Sequence, residues 1–269
     1  MKSRFVAAAV QMVSGTDWQD NLHRAQALVA EAAAQKAELV VLPEYFCLMG
    51  QQDQDKVALA ESPGTGPLQQ ALSGMARRHG VWLAGGTIPL VCHEPGKVYN
   101  STLLFDPQGE PHGRYDKMHL FGFSGLGESY CESNTILPGT SALKVESGLA
   151  SLAFGICYDL RFPELFRQLE PFDILVLPAA FTATTGEAHW EVLLRARAIE
   201  NQCYVIASAQ GGRHQNGRTT HGHSMIIDPW GRVLNALSHG EGVVVAEIDA
   251  NLIQSVRTRL PALVHRVLK

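Results

Sequence analysis

Two stretches, LVVLPEYF at Leu39–Phe46 and DILVLPAAF at Asp173–Phe181, decide the fold class. Each is a short apolar run that stops at a proline and then reaches a phenylalanine. Runs of this kind fit strands buried on both faces, because a half-exposed strand alternates apolar and polar residues. The shared L-P-x-x-F ending is a weak internal repeat, cheap to produce by chance, so the reading rests on what flanks each copy. Around the first, Phe5–Met12 reads as a strand and Trp18–Lys36 as an alanine-rich helix with Leu22, Ala25, Leu28 and Val29 at helical spacing. The strand Glu38–Leu42 follows, then a helix over Pro67–His79 and a strand over Val81–Thr87. Around the second, strands at Leu149–Ile156, Ile174–Leu177 and Tyr204–Ala209 alternate with helices at Pro163–Leu169 and Glu187–Asn201. This alternation predicts an α/β protein.

Each half also carries a hairpin pattern around a D-P-x-G turn, YNSTLLFDPQGEPHGRY at 99–115 and HSMIIDPWGRVLNAL at 223–237. Two halves with one order predict two sheets related by pseudo-symmetry. No linker rich in Pro, Ser or charge divides them, which predicts a single domain over residues 1–269. The segment Leu120–Pro138 has little periodicity and reads as a functional loop.

Composition narrows the function class. Of 269 residues, 46% are hydrophobic, enough for a large buried core, and the formal net charge is −4. No basic block appears, so no nucleic-acid partner is expected. The start MKSRFVAAAVQM has too short an apolar run for a signal peptide, and no stretch is long enough for a membrane span. The five cysteines are odd in number and lack CxxC spacing, which predicts free thiols in a cytoplasmic, reducing setting.

Three residues at strand ends are candidates for chemistry. Cys157, in GICYDLRFPE at 155–164, follows an apolar run at the carboxyl edge of a sheet, where open α/β sheets keep their ligand sites. The helix opening at Pro163 offers amides that favour an anion nearby. Alone, the residue fits a structural core thiol at least as well as a nucleophile. Glu44 sits between Pro43 and two aromatics, where desolvation raises a carboxyl toward the range of a general base; a loop glutamate capping a neighbour fits equally. Lys117, in GRYDKMHLFGF, has apolar company and fits either a fixed cation for an oxyanion or a side chain snorkelling from a strand edge. His214, His221 and His223 raise a competing metal-site reading, but no acid or cysteine in that segment completes a familiar ligand spacing.

Taken together, the acid in LPEYF, the lysine in YDKMHLF and the cysteine in GICYDLRFPEL resemble the Glu-Lys-Cys triad of the nitrilase superfamily of carbon–nitrogen hydrolases, in order and in context. The resemblance runs from AAVQM to the C-terminal RLP. It implies a four-layer α-β-β-α sandwich and a homodimer, with Pro163–Leu169 and Glu187–Asn201 as the segments expected at the interface. It also implies that Cys157 attacks a carbonyl and Glu44 acts as base, while Lys117 and the backbone N–H of Tyr158 hold the oxyanion. No metal or organic cofactor is implied. An accessory glutamate matches Glu132 in CESNTILPG, with Glu128 its rival.

The run AFTATTGEAHWEVLLRARAIENQCYVIASAQGGRH, followed by HGHSMIIDPWG, looks closest to the deaminated glutathione amidase branch, which releases 2-oxoglutarate and Cys-Gly. The neighbouring branch, ω-amidase, acts on 2-oxoglutaramate. In this reading Arg161 meets the acidic end of the substrate, and Tyr45, Phe162 and Thr182 line the pocket. A non-catalytic relative stands as the contrasting class.

Overall fold

The computed structural model describes residues 1–125 and 128–268, with the side chain of Glu128 outside the description. The first half contains β1 (Arg4–Gln11), α1 (Trp18–Ala34), β2 (Ala37–Val41), α2 (Asp55–Ala58), α3 (Pro67–His79), β3 (Trp82–Ala84), β4 (Ile88–Val91), β5 (Val98–Phe105) and β6 (Pro111–Asp116). A small hairpin, β7 (Gly122–Gly125) and β8 (Glu128–Cys131), stands apart from the main sheets. The second half contains β9 (Lys144–Glu146), β10 (Ser151–Phe154), α4 (Pro163–Arg167), β11 (Ile174–Ala179), α5 (Ala183–Asn201), β12 (Tyr204–Ala209), β13 (Ser224–Ile227) and β14 (Val233–Leu237). β15 (Gly242–Asp249) and α6 (Ala250–Arg259) complete it.

The strands form two large sheets. One has the order β15-β1-β2-β3-β5-β4, with β6 added to β5, and the other runs β14-β13-β12-β11-β10-β9. In both, the LPxxF strands β2 and β11 lie inside the sheet and run parallel to a neighbour, β2 to β1 and β11 to β12. β1 shows how one strand serves two layers. Its Ala7 and Ala9 belong to the core shared with β12 and β13 of the other sheet, while Ala8 and Val10 belong to the cluster that holds Ala25 and Val29 of α1 and Leu68 and Leu72 of α3. Since alternate side chains leave opposite faces of a strand, every β1 position in this stretch is buried. Behind the second sheet, Leu165 and Phe166 of α4 and Trp190, Leu194 and Ala198 of α5 join the core. The result is the four-layer α-β-β-α sandwich.

Local chemistry accounts for the boundaries. Asp17 caps α1 by accepting from the backbone N–H groups of Gln19 and Asp20, and Asn21, Ala25, Val29 and Ala32 form its buried stripe. The two D-P-x-G turns are built alike. In the first, Asp106 Oδ1 accepts from Gln108 and Glu110 N–H groups at 2.9 and 2.8 Å; in the second, Asp228 Oδ1 accepts from Trp230 and Arg232 at 2.8 and 2.9 Å. Such side-chain bonds to the following backbone are what aspartate contributes to turns.

Three segments depart from the sequence reading. Val81–Thr87 is strand only over β3, and β4 begins just beyond it. The loop Leu120–Pro138 holds the β7–β8 hairpin and a short 3-10 turn at Glu132–Asn134, structure that Gly and Ser residues conceal from periodicity. α5 starts at Ala183, before the expected Glu187, because Thr182 caps it by accepting from Thr185 N–H. Gly186 lies within that early turn for a packing reason: a Cβ there stands 2.3 Å from the Cβ of His221. Among the described residues no helix is long and apolar enough to cross a membrane.

Candidate active site

The carboxyl ends of β2, β6 and β10 deliver one side chain each to a common place. Glu44 follows β2 and is 1% exposed; Lys117 follows β6 and is fully buried; Cys157 follows β10 and is 7% exposed. Lys117 Nζ donates to Glu44 Oε1 at 2.9 Å and stands 2.9 and 2.8 Å from the two carboxylate oxygens of Glu132. Asn100, on β5, donates its side-chain N–H to Glu44 Oε1 at 2.9 Å. Glu132 is itself held, accepting from Phe121 N–H at 2.7 Å and from the Tyr45 hydroxyl at 2.9 Å. One lysine thus serves two carboxylates. The side chain of Glu128 lies outside the described residues.

Electrostatics follow from that stoichiometry. Burial works against the Lys117 charge, yet Glu132 and Glu44 together outweigh it and hold its pKa well above the usual lysine value. Glu44 shares its cation with Glu132, so burial wins over Lys117 and its pKa is raised. The nearby Cys157 thiol opposes this rise only weakly, as a hydrogen-bonding neighbour. The thiol is itself pushed well above its ordinary value, first by burial and then by the Glu44 charge, with Lys117 pulling the other way. A standing thiolate, as helix-terminal amides alone would favour, is therefore not the resting form. The arrangement suits a thiol that gives up its proton to an adjacent base as it attacks.

The backbone is bent for this geometry. Cys157 has φ +49° and Tyr45 has φ +56°, left-handed values that non-glycine residues adopt at a cost of about 1–3 kcal/mol and that cluster at functional sites. Residues Cys157–Arg161 form a 3-10 turn, with the helix α4 starting only at Pro163. Gly86, at φ +57°, lies so close to the Glu44 loop that a Cβ stands 2.3 Å from the Pro43 carbonyl oxygen.

A buried carboxylate that the sequence reading missed fixes the cysteine turn. Asp159 is fully buried; its Oδ2 accepts from Ile156 N–H at 2.9 Å and the Tyr115 hydroxyl at 2.8 Å, and its Oδ1 accepts from His119 N–H at 3.0 Å. His119 Nδ1 is 2.7 Å from the same Oδ1. Tyr115 and His119 flank Lys117 in sequence, so Asp159 ties the lysine strand to the cysteine turn. The signal was present in the order C-Y-D, but an acid beside a cysteine has many uses.

The cavity at Cys157 is lined by Glu44, Tyr45, Glu132, Ala180 and Thr182, and continues into a second lobe bounded by Tyr158, Arg161 and Phe181. Tyr45, Thr182 and Arg161 thus all reach it. Phe162 does not line either lobe: it stacks on the His119 ring with centroids 3.7 Å apart and lies 5.3 Å edge-on from Tyr158. Its place is behind the site, packing the turn. Arg161 faces His189 Nδ1 at 3.3 Å and lies over the Phe181 ring at 5.4 Å; no carboxylate among the described residues pairs with it.

The three histidines do not meet. His214 is buried with Nδ1 2.9 Å from the Ser14 carbonyl and Nε2 2.8 Å from Thr220 Oγ1, whereas His221 and His223 stack on each other at 4.4 Å. Both ring nitrogens of His214 are taken, and among the described residues no group of three His, Cys, Asp or Glu is placed to hold a metal ion.

Residues 6–258 match the carbon-nitrogen hydrolase family. A protein of Synechocystis sp. named deaminated glutathione amidase is 44% identical over 269 residues, covering 98% of both chains. Among solved structures, Nit3 of Saccharomyces cerevisiae, a member of branch 10 of the nitrilase superfamily, superposes with TM-score 0.87 at 31% identity, covering 96% of this chain and 95% of that one. A mutant amidase from Nesterenkonia sp., carrying the product of acrylamide addition at its active-site cysteine, superposes with TM-score 0.79 at 26% identity, covering 96% and 98%.

Proposed function

The chain belongs to the carbon-nitrogen hydrolase family, and on that premise we propose that it is an amidase working through a thioester on Cys157, with deaminated glutathione as its substrate. One observation carries the mechanism: Glu44, Lys117 and Cys157 come from three separate strand ends to one buried cluster, of which Glu44 and Cys157 line the cavity. Glu44 takes the thiol proton as Cys157 Sγ attacks the amide carbonyl carbon. The oxyanion that forms is stabilised by Lys117 Nζ and by the N–H of Tyr158, interactions worth most in a site closed to water. Collapse breaks the C–N bond, and Glu44 returns the proton to the departing amine. Water then enters, Glu44 takes one of its protons, and attack on the thioester releases the acid and restores the thiol. Glu132 orients Lys117, and its second oxygen is fixed by Phe121 N–H.

The raised pKa of Glu44 supports this double role, since a carboxyl closer to neutrality is a better base and a better proton return. Deaminated glutathione is favoured by the name of the Synechocystis relative and by Arg161, a cation beside the nucleophile with no carboxylate partner among the described residues. On the same reading the chain is a single domain and a homodimer: α5, which the family resemblance places at the interface, presents Val192 and Ile199, 69% and 49% exposed. Its free cysteines suit the reducing cytoplasm.

The test compares wild type with Cys157→Ala on deaminated glutathione and on 2-oxoglutaramate, following Cys-Gly or ammonia release. Wild type is expected to act on the first and the variant on neither, with an acyl adduct on the Cys157 peptide by mass spectrometry. A variant that still turns over substrate refutes the mechanism; a wild type inert on both substrates refutes the substrate class.

A further inference from the structure

The cavity at Cys157 is divided unequally, in size and in charge. Phe121, Cys157, Ala180 and Thr182 line both lobes. The space at the lobe bounded by Arg161 is about 210 Å³ and at the other about 620 Å³, the open solvent at their mouths included. Glu44 lines only the larger one. A proton returned by Glu44 must reach the nitrogen of the leaving amine, so the amine half of the substrate lies in the larger lobe. The acyl half is then left to the smaller lobe, facing Arg161.

The far end of the larger lobe is cationic. Lys56, Asp53 and Arg218 line it together, and the same three residues continue into the neighbouring depression past Leu48 and Gln52, away from Cys157. Arg218 Nη2 is 2.9 Å from Asp53 Oδ1, and Lys56 Nζ is 3.8 Å from that same oxygen. Two cations share one carboxylate within ion-pair distance among the described residues, with Glu132 of the same lobe the next acid to act on Lys56. Both cations are held by neighbours, Lys56 largely buried and Arg218 38% exposed. The Lys56 side chain is only 16% exposed and donates to Thr135 Oγ1 at 3.2 Å, and Arg218 lies over the Tyr130 ring at 5.5 Å. Ammonia as a leaving group has no carboxylate to present to these two cations.

We infer that the far end of the larger lobe is a carboxylate subsite, in which Lys56 and Arg218 hold the terminal carboxylate of a dipeptide leaving group. This deepens the reading of the chain as an amidase for deaminated glutathione and rests on it. The site then carries one cationic anchor on each side of the scissile bond, Arg161 for the keto acid and the Lys56–Arg218 pair for the amine product. Discrimination against 2-oxoglutaramate follows, because that substrate engages only the first.

The experiment uses wild type, Arg218→Gln and Arg218→Lys. Steady-state kinetics are measured on deaminated glutathione, on its analogue with a C-terminal carboxamide, and on 2-oxoglutaramate. Inhibition of each protein by Cys-Gly and by its carboxamide is measured alongside. Losing a charge-assisted bond to a carboxylate predicts a fall of roughly tenfold or more in kcat/KM for deaminated glutathione in Arg218→Gln, carried mostly by KM. The loss on 2-oxoglutaramate and on the carboxamide is expected to be much smaller, and Arg218→Lys to recover part of the deficit. Equal losses on all three substrates, or a wild type that treats acid and carboxamide alike, overturn the subsite. If wild type acts on 2-oxoglutaramate but not on deaminated glutathione, the substrate reading fails, and Cys-Gly inhibition decides the subsite by itself. Inhibition that prefers the free carboxylate and is weakened by Arg218→Gln upholds it; absence of inhibition removes it.

Discussion

Replacing Lys117 by methionine separates the chemistry of the site from its contribution to stability. In the native protein the ammonium is within 2.9 Å of Glu44 and of Glu132, and both Lys117 and Glu44 are essentially out of water. Lys117→Met fills much of the same volume but leaves two carboxylates facing each other without their cation. Removing one partner of a buried ion pair costs about 3–5 kcal/mol. For a domain of this size that corresponds to a fall of roughly 6–20 °C in melting temperature, taking about 2–4 °C per kcal/mol.

The loss should depend on pH with a definite sign. Glu44 already has a folded-state pKa raised above 4.5 by burial, with Lys117 opposing the rise. An acid whose pKa is raised on folding costs no stability below its unfolded pKa, costs progressively more as pH rises from there to the folded one, and costs a constant amount above it. Without Lys117 the folded pKa climbs further, so the penalty of the variant relative to wild type widens from acid to alkaline pH. Thermal unfolding at pH 5 and pH 8, followed by near-UV circular dichroism, is the assay. The melting-temperature deficit is expected to be clearly smaller at pH 5, closer to the ordinary carboxyl range, than at pH 8. A deficit of equal size at both pH values would falsify the idea that an unpaired Glu44 carboxylate is its cause. The same variant should lose about 10²–10³-fold in kcat, the scale of removing one oxyanion donor.

Two further outcomes follow from the site and the surface. Asp159→Asn puts an amide NH2 against either the Ile156 or the His119 N–H, leaving a buried donor unpaired at a cost of about 1–3 kcal/mol. Since Asp159 is buried behind the cysteine turn and lines neither lobe of the cavity, kcat should fall with KM nearly unchanged; a loss confined to KM, or to stability alone, argues against a positioning role. On α5, Val192→Glu sets a charge in the exposed apolar surface, and sedimentation should show wild type as two chains and the variant as one; a wild type sedimenting as a single chain removes this interface.

Much of the fold is written in short segments. Buried runs such as Leu39–Leu42 and Ile174–Leu177 have no polar face to offer water, so each had to become an interior strand whatever its neighbours. The Asp106 and Asp228 turns are likewise local, each closed by the side chain of its own first residue. Segments were misread where tertiary contact overrides local preference. The start of α5 holds a glycine and threonines that look unhelical, yet Gly186 is needed there for the approach of His221. β15 and α6 are not expected from the sequence pattern, and β15 gains its place by pairing along the whole of β1.

The candidate residues divide the same way. Sequence by itself determined that an acid, a lysine and a cysteine follow three apolar runs, because strand ends and side-chain types are local facts. Only the tertiary structure decided that Lys117 stands between Glu44 and Glu132, that Phe162 packs behind the site, and that Asp159 locks the cysteine turn. It alone brought Lys56 and Arg218 to one carboxylate at the end of the cavity. The physical reason is range: a strand or a turn is set by residues next to one another, whereas a charge acquires its meaning from whatever the fold places within a few ångströms of it, here across chain separations of 73 residues for Glu44 and Lys117 and 165 for Asp53 and Arg218.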